Sequence, residues 1–423
     1  MSVFFYNIFL WLFRGGIFLA SAFNPKAKKW LSGRKNIFKK LKSAIPEDGK
    51  IVWMHSASLG EFEQGRPVLE QMKILFPEYK YLLTFFSPSG YEVQKNYLGA
   101  DWVFYLPLDG PAVAKKFLEI VHPSLVIFVK YEFWYYYLKK IKYRNIPLLL
   151  ISALFREDMS FFKWYGGLQQ KMLSRFDHLF VQTQNSKKLI DEIGLSEICT
   201  VSGDTRFDRV IEIAEKFEPI KEIEEFIGAG KAIIAGSTWK EDEEALKKAF
   251  VEINDPSLKL IIAPHEINEN HLNELQNIFP ESIRYSQLQT SKLKPENNCL
   301  IIDNVGMLSR LYKYGFITYV GGGLRSSGVH NVLEAAVYNK IVLFGPYYQK
   351  YTEAIDLIKS GGGITFINNS EEGATLKKVI ENLLTNEAEY NSRSEAAGAF
   401  IYSKRGATNK IIKFIQEKRL LTN

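Results

Sequence analysis

From residue 50 onward the sequence repeats one pattern: a short continuous apolar run, then a stretch with helical spacing, then another apolar run. The runs 51–55 (IVWMH), 80–86 (KYLLTFF), 125–129 (LVIFV), 147–152 (PLLLIS) and 178–182 (HLFVQ) predict strands. Helical patterns near 62–76, 111–120, 132–143, 161–173 and 185–193 lie around and between them. A strand that is apolar at every position must be covered on both faces. Such strands alternating with helices build a parallel sheet between two helical layers. The pattern breaks at 211–230, a charged stretch ending in glycines. It restarts with 231–235 (KAIIA), 258–263 (LKLIIA), 299–302 (CLII), 316–320 (FITYV) and 341–344 (IVLF). A chain of 423 residues has room for two such cores. The reading is an α/β protein: a first domain over 47–215, a second over 216–404, and a closing segment 405–423 whose helix packs on one or the other.

The first 46 residues are different. They hold nine cations (Arg14, Lys26, Lys28, Lys29, Arg34, Lys35, Lys39, Lys40, Lys42) and no acid, so the rest of the chain is slightly acidic despite a total of +7. A nucleic-acid binder carries its basic face in the folded body, so no nucleic-acid partner is expected. Here the excess adjoins an apolar run, residues 3–23, and points to an anionic membrane surface. A helix of that length reaches about 30 Å, the thickness of a bilayer core. Arg14 near its middle would penalise a spanning helix by about 2.5–3.5 kcal/mol, a cost that shallow insertion avoids. Trp30, Ile37, Phe38 and Leu41 follow at helical spacing among lysines, which predicts a basic amphipathic helix lying on the membrane. Ala20-Ser21-Ala22 resembles a cleavage site, but no basic segment precedes the apolar run and the lysines follow it. Segment 1–46 therefore reads as an uncleaved anchor with the body in the cytosol. Cys199 and Cys299, about 100 residues apart and without metal-ligand spacing, read as buried thiols in a reducing compartment.

The candidate chemistry lies where strands end, because ligands of parallel α/β sheets gather at the carboxyl ends. His55-Ser56-Ala57-Ser58-Leu59-Gly60-Glu61 follows the first strand. Ser58-x-x-Glu61 fits a capping box, and Glu61 also fits a general base kept ionised at a helix N-terminus. Glu132 follows the 125–129 strand and doubles as a first-turn helix charge. Arg206, in Gly203-Asp204-Thr205-Arg206-Phe207-Asp208, suits a carboxylate or phosphate. In the second half, Gly236-Ser237-Thr238 and Pro264-His265-Glu266 each follow a strand. The loop Val320-Gly321-Gly322-Gly323 to Glu334 leads from a strand into a helix. Its backbone N–H groups and the helix end would hold a phosphate, Glu334 would accept from ribose hydroxyls, and Gly345-Pro346 would close the pocket. The loop is neither G-x-G-x-x-G nor a Walker loop, and H-E-x-x-H, G-x-S-x-G and metal-spaced carboxylates are missing from the sequence. No metal and no cofactor are expected.

Taken in order, these pieces resemble the 3-deoxy-D-manno-octulosonic acid (Kdo) transferases of lipopolysaccharide synthesis, across nearly the whole chain. The resemblance implies two Rossmann-like domains facing a cleft, the glycosyltransferase-B fold. It implies an enzyme of the inner membrane's cytoplasmic face that passes Kdo from CMP-Kdo to a lipid A precursor, lipid IVA, with inversion. By motif position it makes Glu61 the proton acceptor and places Glu132 and Arg206 at transition-state-stabilising positions. Pro264, His265, Val305, Gly306, Met307, Asn331, Val332, Leu333 and Glu334 then fall where the family contacts CMP. The chain departs from the family pattern in carrying Arg206 for a lysine, Met307 for a glutamate, Trp239 for a histidine, Lys130 for an acid and Val332 for a proline. It also has Pro264-His265-Glu266 for Pro-Arg-His. The rival readings are another two-domain glycosyltransferase or an epimerase using a UDP-sugar, and an idle nucleotide-sugar binder.

Overall fold

The computed structural model describes residues 2–288, 297–367 and 375–422. The chain divides into two compact units, Met1–Arg209 with Gly406–Asn423, and Val210–Arg405. The division falls inside the helix Thr205–Glu215.

The first unit is built on seven strands: β1 (Ile51–Ser56), β2 (Lys80–Phe85), β3 (Trp102–Tyr105), β4 (Pro123–Val129), β5 (Leu148–Ala153), β6 (His178–Val181) and β7 (Cys199–Val201). They pair in parallel in the order β3-β2-β1-β4-β5-β6-β7. β1, β4 and β5 are buried at nearly every position, as their unbroken apolar runs require. The second unit repeats the plan with β8 (Lys231–Thr238), β9 (Leu258–Pro264), β10 (Ile283–Arg284), β11 (Cys299–Ile301), β12 (Ile317–Val320), β13 (Val342–Phe344) and β14 (Gly363–Thr365). Their order is β10-β11-β9-β8-β12-β13-β14, again all parallel.

Four of these strands have no counterpart among the predicted runs: β3, β7, β10 and β14. All four are sheet edges. An edge strand is paired on one side only and is half covered, so it lacks the continuous apolar signature. β3 is mostly half-buried, and β7 has one buried, one exposed and one half-buried residue.

The closing helix, Ala407–Glu417, packs on the first unit. Ile411, Ile412 and Ile415 enter the core that holds Met72 and Phe180, and the Phe414 ring lies 4.2 Å from that of His178. Burying three isoleucines contributes roughly 1.5–3 kcal/mol each. Asp208 fixes the entry by accepting from the N–H groups of Gly406 and Thr408, both at 2.6 Å.

The N-terminal segment also belongs to the first unit, and here one expectation is overturned. The single basic amphipathic helix is two helices, Pro25–Gly33 and Ile37–Ala44, broken at Asn36 in the left-handed region (φ 57°). Its apolar side faces the protein: Trp30, Ile37 and Leu41 are buried. Arg34, half-buried, is tied in beside them. It donates to the carbonyls of Trp30, Leu106 and Phe86 and lies 3.7 Å over the Trp30 ring, and burial lowers its pKa to about 9.

The first helix, Val3–Ala20, is long and apolar enough to cross a membrane by length and composition. It is tied to the body at two points. The Tyr6 hydroxyl donates to Asp109 (2.7 Å) and the Tyr136 hydroxyl donates to Asn7 (2.8 Å); further along, the Phe13 ring packs on Trp30 and Phe86. Phe4, Trp11, Leu12, Phe18, Leu19 and Phe23 remain exposed.

Candidate active site

All strands of a parallel sheet end at the same edge, so the loops after β1, β4, β5 and β7 form one cluster in the first unit. β1 delivers Glu61 into the first turn of the helix Leu59–Leu75. The expected capping box is not formed: Ser58 makes no side-chain bond to the helix N–H groups, and its hydroxyl donates instead to the Glu61 carboxylate. Glu61 is thus held by a neutral donor in the first turn of the helix. Its charge reaches Tyr131 after β4, whose pKa is raised first by burial and then, against the Arg156 charge, by Glu61.

Glu132 leaves β4, the strand next to β1 and about 4.8 Å from it. It precedes the helix Tyr135–Tyr143 rather than lying in its first turn, so a helix-dipole role does not explain it. Its Oε2 meets His55 Nε2 at 2.7 Å and accepts from Trp134 Nε1 at 2.6 Å. Glu132 is 7% exposed and His55 is fully buried. Two non-glycine residues here take left-handed backbone: Lys130 (φ 66°), just after β4, and Ser152 (φ 54°), inside β5 where its pairing with β6 shifts register. Backbone strain of this kind costs about 1–3 kcal/mol per residue and collects where a loop must be aimed.

Arg206 comes from the far edge of the sheet, but its loop is drawn inward. The Thr205 hydroxyl bonds the Gln64 carbonyl, one turn along the helix that bears Glu61, and meets Ser152 Oγ at 3.0 Å. Arg206 itself grips Asp204 Oδ2 through Nε (2.9 Å) and a terminal nitrogen (2.7 Å).

The second unit arms its strand ends differently. Asp242, fully buried, accepts from the backbone N–H groups of Trp239 and Gly322 and from the Tyr319 hydroxyl, and burial raises its pKa. The glycine loop is tied into its own unit. The N–H groups of Gly321, Gly322, Arg325, Gly328, Val329 and His330 all find acceptors within the unit. The helix that follows, Leu333–Ala336, is a single turn. The glycines also serve close approach: a Cβ on Gly345 would fall 2.4 Å from the Gly323 backbone, and one on Gly321 would fall 2.3 Å from the Ser237 carbonyl.

Of the residues matched to nucleotide contacts, Pro264 ends β9 and His265 follows it. Val305 and Gly306 follow β11, with Val305 89% exposed and Gly306 at φ 97°, and Met307 is buried. Asn331 donates to Glu334 (2.8 Å). Val332 and Leu333 are wholly buried, leaving no side-chain surface for a ligand.

An aromatic ladder that periodicity cannot show crosses three loops. His265 lies between Trp239 (4.6 Å) and His330 (4.4 Å), and Arg325 caps Trp239 at 4.3 Å. Trp239 Nε1 donates to His330 Nε2 at 3.0 Å. Burial, then the His265 charge, pushes His330 down to about 4. Among the described residues no group of three or more His, Cys, Asp or Glu side chains could hold a metal ion.

The family described as 3-deoxy-D-manno-octulosonic-acid transferase (kdotransferase) matches residues 31–209. A 3-deoxy-D-manno-octulosonic acid transferase of Aquifex aeolicus is 31% identical over 364 residues, covering 84% of this chain and 92% of its own. The Haemophilus influenzae protein of the same name is 26% identical over 410 residues, 94% of this chain and 93% of its own. Among solved structures, UDP-GlcNAc 2-epimerase from Neisseria meningitidis bound to UDP-GlcNAc superposes with a TM-score of 0.59 at 17% identity, over 87% of this chain and all of that one. That likeness shows a shared glycosyltransferase-B architecture and nothing about substrate. Sequence similarity along most of both chains, on two parallel sheets whose strand ends carry the expected motifs, establishes that this chain belongs to the Kdo transferase family of glycosyltransferases.

Proposed function

We propose that this protein transfers Kdo from CMP-Kdo to a lipid A precursor, lipid IVA, at the cytoplasmic face of the inner membrane in lipopolysaccharide synthesis. The observation that carries this reading is kinship with Kdo transferases over most of the chain. In the proposed reaction Glu61 removes the proton of an acceptor hydroxyl. The freed oxygen attacks the anomeric carbon of Kdo while its bond to the CMP phosphate breaks, which inverts that carbon through an oxocarbenium-like transition state. Glu132 and Arg206 stabilise the charges that develop. The second unit binds the nucleotide through Pro264, His265, Val305, Gly306, Met307 and the Asn331–Glu334 turn, with Val332 and Leu333 engaged through their backbone.

The acceptor is held by the first unit at a membrane surface. Support comes from the helix Val3–Ala20, which lies along the unit with its outer face apolar. Further support is a cavity of about 660 Å³ lined by Arg14, Lys28 and Lys35 together with Phe18, Trp30 and Phe38. Cations beside apolar walls suit a phosphorylated, acylated lipid. The test is mass analysis of the lipid after incubation with CMP-Kdo and lipid IVA. A gain of one or more Kdo residues is expected, with transfer on anionic vesicles falling as salt rises. Unchanged acceptor, or consumption of a UDP-sugar instead, would sink the reading.

A further inference from the structure

We infer that His55 is a positioning residue for the transfer reaction: it shares a single proton with Glu132 and holds that carboxyl so that one oxygen stays open to the substrate. The inference rests on the reading that Glu132 takes part in the transfer.

The argument is hydrogen accounting. His55 Nδ1 lies 3.0 Å from the Thr84 carbonyl oxygen and 2.9 Å from Thr84 Oγ1. A carbonyl only accepts. Thr84 Oγ1 already accepts from Trp53 Nε1 (2.8 Å) and points its own hydrogen to the Met54 carbonyl (3.4 Å). Both neighbours of Nδ1 are therefore acceptors, and Nδ1 must carry a hydrogen. On the other side of the ring, Nε2 and Glu132 Oε2 are 2.7 Å apart. If Nε2 and the carboxylate were both bare, two lone pairs would face each other at that distance inside the protein. One hydrogen must lie between them, whether the pair is imidazolium with carboxylate or imidazole with carboxylic acid. In both descriptions the pair as a whole is neutral, which is what a fully buried ring and a 7% exposed carboxyl require.

The same geometry orients the carboxyl. Oε2 is occupied twice, by His55 and by Trp134 Nε1. Among the described residues Oε1 has no protein partner. The ring cannot swing away, because Thr84 holds its far nitrogen and Phe128 packs edge-on against it at 5.3 Å. Removing His55 would leave Glu132 with only the indole donor and no fixed proton.

The test uses the full-length enzyme in lipid IVA vesicles. His55→Phe keeps a ring and deletes both nitrogens; kcat is expected to fall about 10–100-fold, the loss typical when a group that orients a functional ligand is removed. KM for CMP-Kdo should stay near the wild-type value, because the loss lies in the transition state. His55→Gln, which can still donate to Oε2, should recover part of the loss, and thermal melts of both variants report folding separately. In the wild type, ¹⁵N-histidine NMR should show Nδ1 protonated and a far-downfield proton between Nε2 and Glu132 that disappears in both His55→Gln and Glu132→Gln. Wild-type kcat in a folded His55→Phe, or a bare Nδ1, would overturn the inference. A wild-type enzyme that transfers no Kdo would overturn the function instead, while the NMR result would still decide the proton.

Discussion

The two units share a strand plan and differ in what they place at the strand ends. The first arms its loops with charged side chains that other side chains hold: Glu61 by Ser58, Glu132 by His55 and Trp134, Arg206 by Asp204. The second uses backbone packed against backbone, at Gly321, Gly323 and Gly345, and rings packed against rings, at Trp239, His265 and His330. One topology thus presents two kinds of surface, because the sheet fixes where the loops start and the loops alone decide what they present. Proton transfer needs a group whose charge can change. Holding a flat base and its phosphate needs shape.

If that contrast is right, the first unit should fail by losing rate and the second by losing stability or donor affinity. The largest effect is expected from Glu61→Gln, which keeps the shape and removes the base: turnover should fall about 10²–10⁴-fold with the thermal midpoint unchanged. Near-normal transfer by a folded variant would remove Glu61 from this role. Gly345→Ala comes next. Its methyl group would meet the Gly323 backbone, which cannot step aside as a side chain can, so a loss of about 1–3 kcal/mol in stability is expected by denaturant titration. A wild-type midpoint would show that the two turns are not in tight contact.

Trp239→Leu should raise KM for CMP-Kdo up to about tenfold and leave kcat near its starting value, since an aromatic pair contributes roughly 0.5–1.5 kcal/mol. A fall in kcat alone would assign the ladder to chemistry and blur the contrast.

The smallest effect concerns pH. His330 has a folded pKa of about 4 against an ordinary value of 6.5. Above 6.5 neither state is protonated, and the histidine adds no pH dependence. As pH falls below 6.5 the unfolded chain takes up a proton that the folded chain refuses, so stability declines until about pH 4. His330→Gln, which can still accept from Trp239, should flatten that decline in melts compared at pH 7.5 and 5. An equally steep decline would place the titration elsewhere, with His178 of the first unit, also lowered to about 4, the next group to test.

The fold was legible wherever burial was complete. The central strands β1, β4 and β5 and β8, β9 and β12 announced themselves because a strand covered on both faces is built mostly from apolar residues. The edge strands did not, because half-covered chain looks like loop. The site was legible in the same partial way. Position after a strand pointed to Glu61, Glu132 and His265, but nothing in the spacing told that His55 faces Glu132 across 77 residues. Nor did it tell that Trp239 and His330 meet across 91. The amphipathic spacing of Trp30, Ile37 and Leu41 was real, yet it could not say whether the apolar side met lipid or protein.

The sequence by itself determined the repeated α/β plan, the concentration of cations in the first 46 residues, and the family. Each of these is a property of local pattern or of residue order along the chain. Only the tertiary structure decided that the closing helix returns to the first unit, that Arg34 bonds that unit's backbone, and that six N–H groups of the glycine loop are spent within their own unit. These depend on which groups become neighbours once the chain is packed. A buried donor must find an acceptor wherever the fold places one, however far away in sequence that acceptor lies.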